Sequence, residues 1–302
     1  MNKSILGLGL ASFLLTAQSP VRVASPAVCE ALADRLANSV MRVTVAGGSG
    51  SVTSLGADSC TFKNLELDSG HIAGWTADRV TLTSPGIAAS TPGSIPKVLR
   101  ADITGIRFSV RVDDSHARYL NAAVQRPFDI HLNYEWDDEA HQLHVREATL
   151  ESPWIGRTSL SADLDVGGSK DGFNGRIQDR GITLRRVHFV LDNRAIVEAM
   201  MLPALVGSLP KDKDPAVEFP KIQRLIEKEV RALPASGANE ASKDALIRFV
   251  RDFPHPTGHF EETVTFDQPI SLDELTTDKK GRWLRKARIE AAYSPTPAAP
   301  AS

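Results

Sequence analysis

Residues 128–150 read Phe-Asp-Ile-His-Leu-Asn-Tyr-Glu-Trp-Asp-Asp-Glu-Ala-His-Gln-Leu-His-Val-Arg-Glu-Ala-Thr-Leu, and this stretch decides the fold. Phe128, Ile130, Leu132 and Tyr134 alternate with Asp129, His131, Asn133 and Glu135. A strand projects successive side chains to opposite faces, so this segment has one dry and one wet face. Asp137-Asp138-Glu139-Ala140 supplies turn chemistry, and Leu143, Val145, Ala148 and Leu150 return on the dry side. An antiparallel hairpin with one solvated face is the expectation.

The same grammar extends both ways. Upstream, Leu99, Ile103, Ile106, Phe108, Val110 and Val112 are separated by charged residues, as are Phe62, Leu65 and Leu67, and then Trp75, Val80 and Leu82. Val40–Val45 alternates as well, after a helical stripe of Val28, Leu32, Leu36 and Val40 that predicts a helix over Pro26–Ala37. Downstream come Leu160, Ala162, Leu164 and Val166, the turn Gly167–Gly172, and Ile182, Leu184, Val187, Phe189 and Leu191. Residues 40–193 therefore read as β-rich.

After Asn193 the period changes. Ala195–Leu209 is densely apolar and predicts a mostly buried helix bent by Pro203. Lys211–Pro215 reads as a linker. Lys221–Leu233 and Ala241–Phe253 are amphipathic at helical spacing, and Pro254 and Pro256 end the second. His259–Phe266 returns as a strand, Pro269–Leu275 as a short helix, Arg282–Tyr293 as a basic weak helix, and residues 294–302 as a tail. Strands followed by helices predict an α+β fold. It is a single domain over 26–275, with a long curved antiparallel β-sheet packed by a C-terminal three-helix segment (195–253), followed by 276–302.

The first residues predict export. Lys3 precedes the apolar run Ile5–Leu15, and Ala17 offers a small residue for cleavage, so residues 1–17 read as a signal peptide and the compartment as periplasmic or secreted. The two cysteines, Cys29 and Cys60, suit a disulfide in such a compartment, closing a loop of about 30 residues; two buried free thiols are the alternative. No apolar run reaches the length of a membrane-spanning helix. With 35 Lys and Arg against 37 Asp and Glu, the net charge of −2 argues against a general nucleic-acid binder.

Candidate chemistry is sparse. His141 and His144 beside Asp137, Asp138 and Glu139 have the composition of a metal group, but a spacing of three on a strand sends the two rings to opposite faces. Asp163, Asp165 and Asp171 lack the final bidentate Glu of a calcium loop. There is no nucleophile elbow, Walker loop or dinucleotide fingerprint, and no acidic pair stands out for glycoside hydrolysis. The expectation is a non-enzyme without cofactor. Two features suggest binding instead. Ile196, Met200, Met201 and Leu205 lie on the densely apolar helix and suit the yielding wall of an apolar groove. Lys279, Lys280, Arg282, Trp283, Arg285 and Lys286 suit peripheral contact with an anionic membrane surface.

Asn133–Asp138, His141–Val145 and Leu150–Leu160, with Phe62–Leu67 and Trp75–Leu82, form a strand–turn–strand layout. Over residues 60–190 this layout resembles bacterial envelope proteins of the AsmA-like and TULIP-like lipid-handling groups. The resemblance implies a curved antiparallel sheet whose concave, apolar face holds lipid tails. The chain departs from the large AsmA-like proteins in being short and in lacking a retained anchor, which puts bridging between two membranes in doubt, and no catalytic residue is implied. Taken together, the sequence predicts a non-catalytic envelope protein that binds or shields a lipid or another apolar ligand between sheet and helices. The alternatives are a periplasmic partner-binding module with a packed core and, third, a secreted hydrolase.

Overall fold

A computed structural model describes residues 23–41, 44–45, 51–68, 73–91, 96–110, 116, 119, 126–167, 181–277 and 282–296. Expectations for residues 1–17, for Lys279 and Lys280, and for the end of the tail fall outside these. The fold is α+β. Helix α1 (Pro26–Met41) is followed by β1 (Thr44–Val45), β2 (Ser51–Leu55), β3 (Ser59–Asp68), β4 (Ala73–Thr83), β5 (Val98–Val110), β6 (Phe128–Asp137), β7 (Gln142–Ser152), β8 (Gly156–Val166) and β9 (Ile182–Asn193). A π-helical turn (Val197–Met201) then runs into α2 (Leu202–Ser208). After it come α3 (Pro215–Arg231), α4 (Glu240–Asp252), β10 (Gly258–Ser271), α5 (Leu272–Thr277), a 3₁₀ turn (Arg282–Lys286) and β11 (Ala287–Ser294).

All eleven strands belong to one antiparallel sheet, and from β3 to β11 each strand pairs with the next in sequence. β1 and β2 share the free side of β3. The hairpin of residues 128–150 forms as expected, with Tyr134 opposite Val145 and Leu132 opposite Ala148. Two residues of β7, Arg146 and Glu147, intervene between those pairings, so a bulge lets both Val145 and Ala148 face the dry side. At Gly105, φ of +67° and a backbone N–H donating to Asp129 Oδ1 at 2.7 Å accommodate a second slip. A side chain there would collide with the Asp78 carboxylate, which pairs with Arg107. Such irregularities raise local twist and give the sheet its curvature.

Two structures cover the apolar face at opposite ends. At one end α1 packs Val28, Leu32, Ala33 and Ala37 against Phe62, Leu65, Val80 and Leu82. The Cys29–Cys60 disulfide ties α1 to β3, as the cysteine count suggested. At the other end α4 lies on β9–β11, where Ala245 joins Leu191, Phe260 and Tyr293, and Phe249 stacks on Phe260 at a centroid distance of 4.2 Å.

Several expectations are corrected here. The Pro26–Ala37 helix runs on to Met41, so the proposed Val40–Val45 strand is reduced to Thr44–Val45. Arg282–Tyr293 is not a helix: after one 3₁₀ turn it becomes β11, pairing Tyr293 with Phe260 and Ile289 with Val264. Ala287, Ile289 and Tyr293 gain a buried face there that an isolated helix would not offer. The C-terminal helical segment packs on the sheet, as expected, through Ile196, Val197 and α4, which share a core with Leu191, Phe260 and Tyr293. Within it, α3 packs on α4 through Phe219 against Phe253, and Gln223 Nε2 donates to the Val250 and Phe253 carbonyls.

Candidate functional site

Two surfaces of the sheet have the makings of a site, one on each face. The first is the apolar face between α1 and α4. Phe128, Ile130 and Leu132 on β6, Val145 and Leu150 on β7, Leu160 on β8 and Phe189 on β9 are all half-buried. Under the two helices the same face is closed, with Phe62, Leu82 and Leu191 at 1–2% exposure. The covered ends and half-open middle make an apolar strip about four strands wide. A cavity of about 100 Å³ reaches from α1 into it, lined by Leu36, Ala37, Leu65, Ile103, Ile130 and Leu132.

A carboxyl group also stands on this face. Glu262 of β10 lies between Phe260 and Val264 in the alternation, opposite Phe189 on one side and Ala291 on the other. Among the described residues it makes no ion pair or hydrogen bond, and burial pushes its carboxyl above the usual glutamate range.

The second surface is the wet face. Registers across five strand pairs place Asp129, Glu151, Arg157, Asp192, His259 and Ser294 in one row perpendicular to the strands. This row floors an open cleft of about 810 Å³, walled by Pro153, Arg194 and the Pro295–Thr296 backbone. Gly156 (φ +102°) and Gly258 (φ +87°) let neighbouring chain ends pass closely at its edge, where a Cβ would meet the Asp192 and Ser294 carbonyls. A hollow of about 330 Å³, lined by Arg100, Asp102, His131, Asn133 and Glu147, shares Glu151 and Arg157 with the cleft.

Histidines on the wet face are paired with acids. His131 Nδ1 is 2.8 Å from Asp102, His144 Nδ1 is 2.6 Å from Asp163, and His259 Nδ1 is 2.7 Å from Asp192. The Asp192 contact, with Glu261 adding to it, holds the His259 imidazole above its ordinary range. Asp137 accepts the backbone N–H groups of Glu139 and Ala140, and Asp138 accepts the Trp136 indole N–H. These acids therefore shape the hairpin tip.

The four residues expected to line an apolar groove are not brought together as one. Ile196 is buried in the core under α4. Met201 and Leu205 are 43% and 39% exposed, and the side chain of Met200 lies outside the described set. The reason is local. Asn193 Oδ1 accepts the Val197 N–H while its amide donates to the Pro256 carbonyl, which pins the start of the segment. Beyond the π turn, most of the described side chains of α2 are exposed. In the basic cluster, Trp283 turns inward against Phe266, Lys286 pairs with Glu274, and Arg285 is exposed.

No family model, no curated protein and no solved structure matches the chain.

Proposed function

We propose that this chain is an exported, non-catalytic envelope protein that holds the acyl chain of a lipid against the uncovered middle of its sheet. The observation that carries the reading is the strip of half-buried Phe128, Ile130, Leu132, Leu150, Leu160 and Phe189 between two helix-covered ends. Burying a methylene is worth about 0.8 kcal/mol, so a long chain laid along such a strip gains enough to bind. Glu262, whose carboxyl burial holds above the usual glutamate range, offers one polar group to a lipid head, the pattern of a mostly apolar site with few polar anchors. The disulfide supports an oxidising compartment, and among the described residues no helix is long and apolar enough to cross a membrane. The sequence layout's resemblance to AsmA-like and TULIP-like proteins is in keeping with this reading.

Two measurements test the reading. Protein purified from the envelope fraction should release lipid on solvent extraction, seen by mass spectrometry. Delipidated protein should take up a dansyl-labelled fatty acid, and Leu150→Lys or Leu160→Lys should weaken uptake by about tenfold. No extracted lipid together with no dye uptake overturns it.

A second reading, the partner-binding module, has its own support. Met201 at the end of the π turn, Leu205 and Val206 on α2, and Val217, Ile222, Leu225 and Ile226 on α3 are exposed. Exposed apolar surface concentrated on two neighbouring helices is characteristic of interaction sites. Dye uptake insensitive to the strip substitutions but lost with Leu225→Gln favours it.

A further inference from the structure

The cross-strand row on the wet face serves none of this lipid chemistry, and it stands independently of it. Its six residues, Asp129, Glu151, Arg157, Asp192, His259 and Ser294, come from six consecutive strands. At about 4.8 Å per strand the row spans about 24 Å. Such a length suits a chain-like ligand rather than a compact metabolite.

Charge limits the ligand further. Three carboxylates in the cleft face two guanidiniums, Arg157 and Arg194, and one imidazole. No excess of either sign recommends a polyanion or a polycation. Carboxylates, guanidiniums, an imidazole and a hydroxyl put acceptors and donors side by side along the row, which matches a molecule dense in hydroxyls.

The row is also not fully consumed by its own pairing. Glu151 lies 3.7 Å from His131 Nε2 and 3.8 Å from Arg157 Nε, and Arg157 Nη2 lies 3.4 Å from Glu147. The first two separations exceed hydrogen-bond reach, so the Glu151 oxygens retain acceptor capacity for a ligand. Trp154, next in sequence to the wall residue Pro153, is 58% exposed and has the Arg126 guanidinium 4.6 Å from its ring centroid.

We infer that the strand-end cleft over the Asp129–Ser294 row is a binding site for a neutral oligosaccharide, with Glu151, Arg157 and Asp192 bonding hydroxyls.

The test is calorimetric titration of the intact protein with three neutral hexasaccharides: maltohexaose, cellohexaose and the hexamer of N-acetylglucosamine. Binding of at least one, with a Kd of about 1 mM or tighter, is the expected result. Glu151→Gln and Arg157→Gln should each weaken it by about tenfold while the melting temperature stays unchanged. Both side chains are partly or largely exposed, so neither change removes core. The inference is overturned if none of the three binds, if both variants bind like the parent, or if heparin or polylysine binds in preference to every hexamer. Dansyl fatty-acid uptake serves as the separate readout of the lipid reading.

Discussion

Glu262 stands directly opposite Phe189 on the apolar face of the sheet, its carboxyl held between β9 and β11 without a partner among the described residues. Burial raises its pKa above the unfolded value of 4.5. Below that value the group is protonated in both states and adds no pH-dependent cost. As pH rises through the folded pKa, the unfolded state releases the proton more readily and stability falls. Glu262→Gln should therefore leave stability at pH 4 nearly unchanged. At pH 7–8 it should raise stability by about 1 kcal/mol, at the low end for an unpaired buried polar group. Thermal unfolding of both proteins across pH checks it, and a parallel offset at every pH contradicts it.

His259 behaves the opposite way chemically but shifts in the same direction. Its imidazolium is stabilised first by Asp192 and then by Glu261, which raises its pKa. The stabilisation is fully present below pH 6.5 and is lost as pH rises through the folded value. Asp192→Asn should bring the His259 titration, followed through its ring protons by NMR, back toward the ordinary histidine range. An unmoved titration would show that Glu261 alone sets it.

The Cys29–Cys60 disulfide spans 31 residues and fastens α1 over β3–β5. A loop of that size contributes about 3–4 kcal/mol in the chain-entropy description. Replacing both cysteines by Ala should lower the melting temperature by about 5–10 °C. It should also raise hydrogen exchange in α1 before it does so in β7–β9, because only the α1 end loses its tether.

Much of this fold is legible in the chain because strand faces are written at period two. Even the β7 bulge shows, as a step of three between Val145 and Ala148 in an otherwise alternating list. β11 was harder. Ala287, Ile289, Ala291 and Tyr293 do alternate, but Ala, Arg, Lys and Glu around them are good helix formers, and pairing with β10 overrides that preference. The wet-face row is not readable at all before the structure. Asp129, Glu151, Arg157, Asp192 and His259 are spread over 131 positions, and they meet only through register, which alternation does not specify. The apolar groove failed for a related reason: a hydrophobic run fixes what wants burial, and Asn193 and the π turn decide which part of it is buried.

That division within one apolar helix is itself measurable. Ile196 is 3% exposed among Val197, Ala245 and Phe260, whereas Met201 and Leu205 project from the turn and α2 into solvent. Ile196→Ala leaves a void in a packed core and should cost about 2–4 kcal/mol. Met201→Ala and Leu205→Ala remove surface contacts and should stay within about 0.5 kcal/mol. Chemical denaturation of the three variants at equal protein concentration makes the comparison. If Leu205→Ala proves as costly as Ile196→Ala, α2 is packed against the body in solution, and the groove between sheet and helices that the sequence implied becomes the better description of this end of the protein.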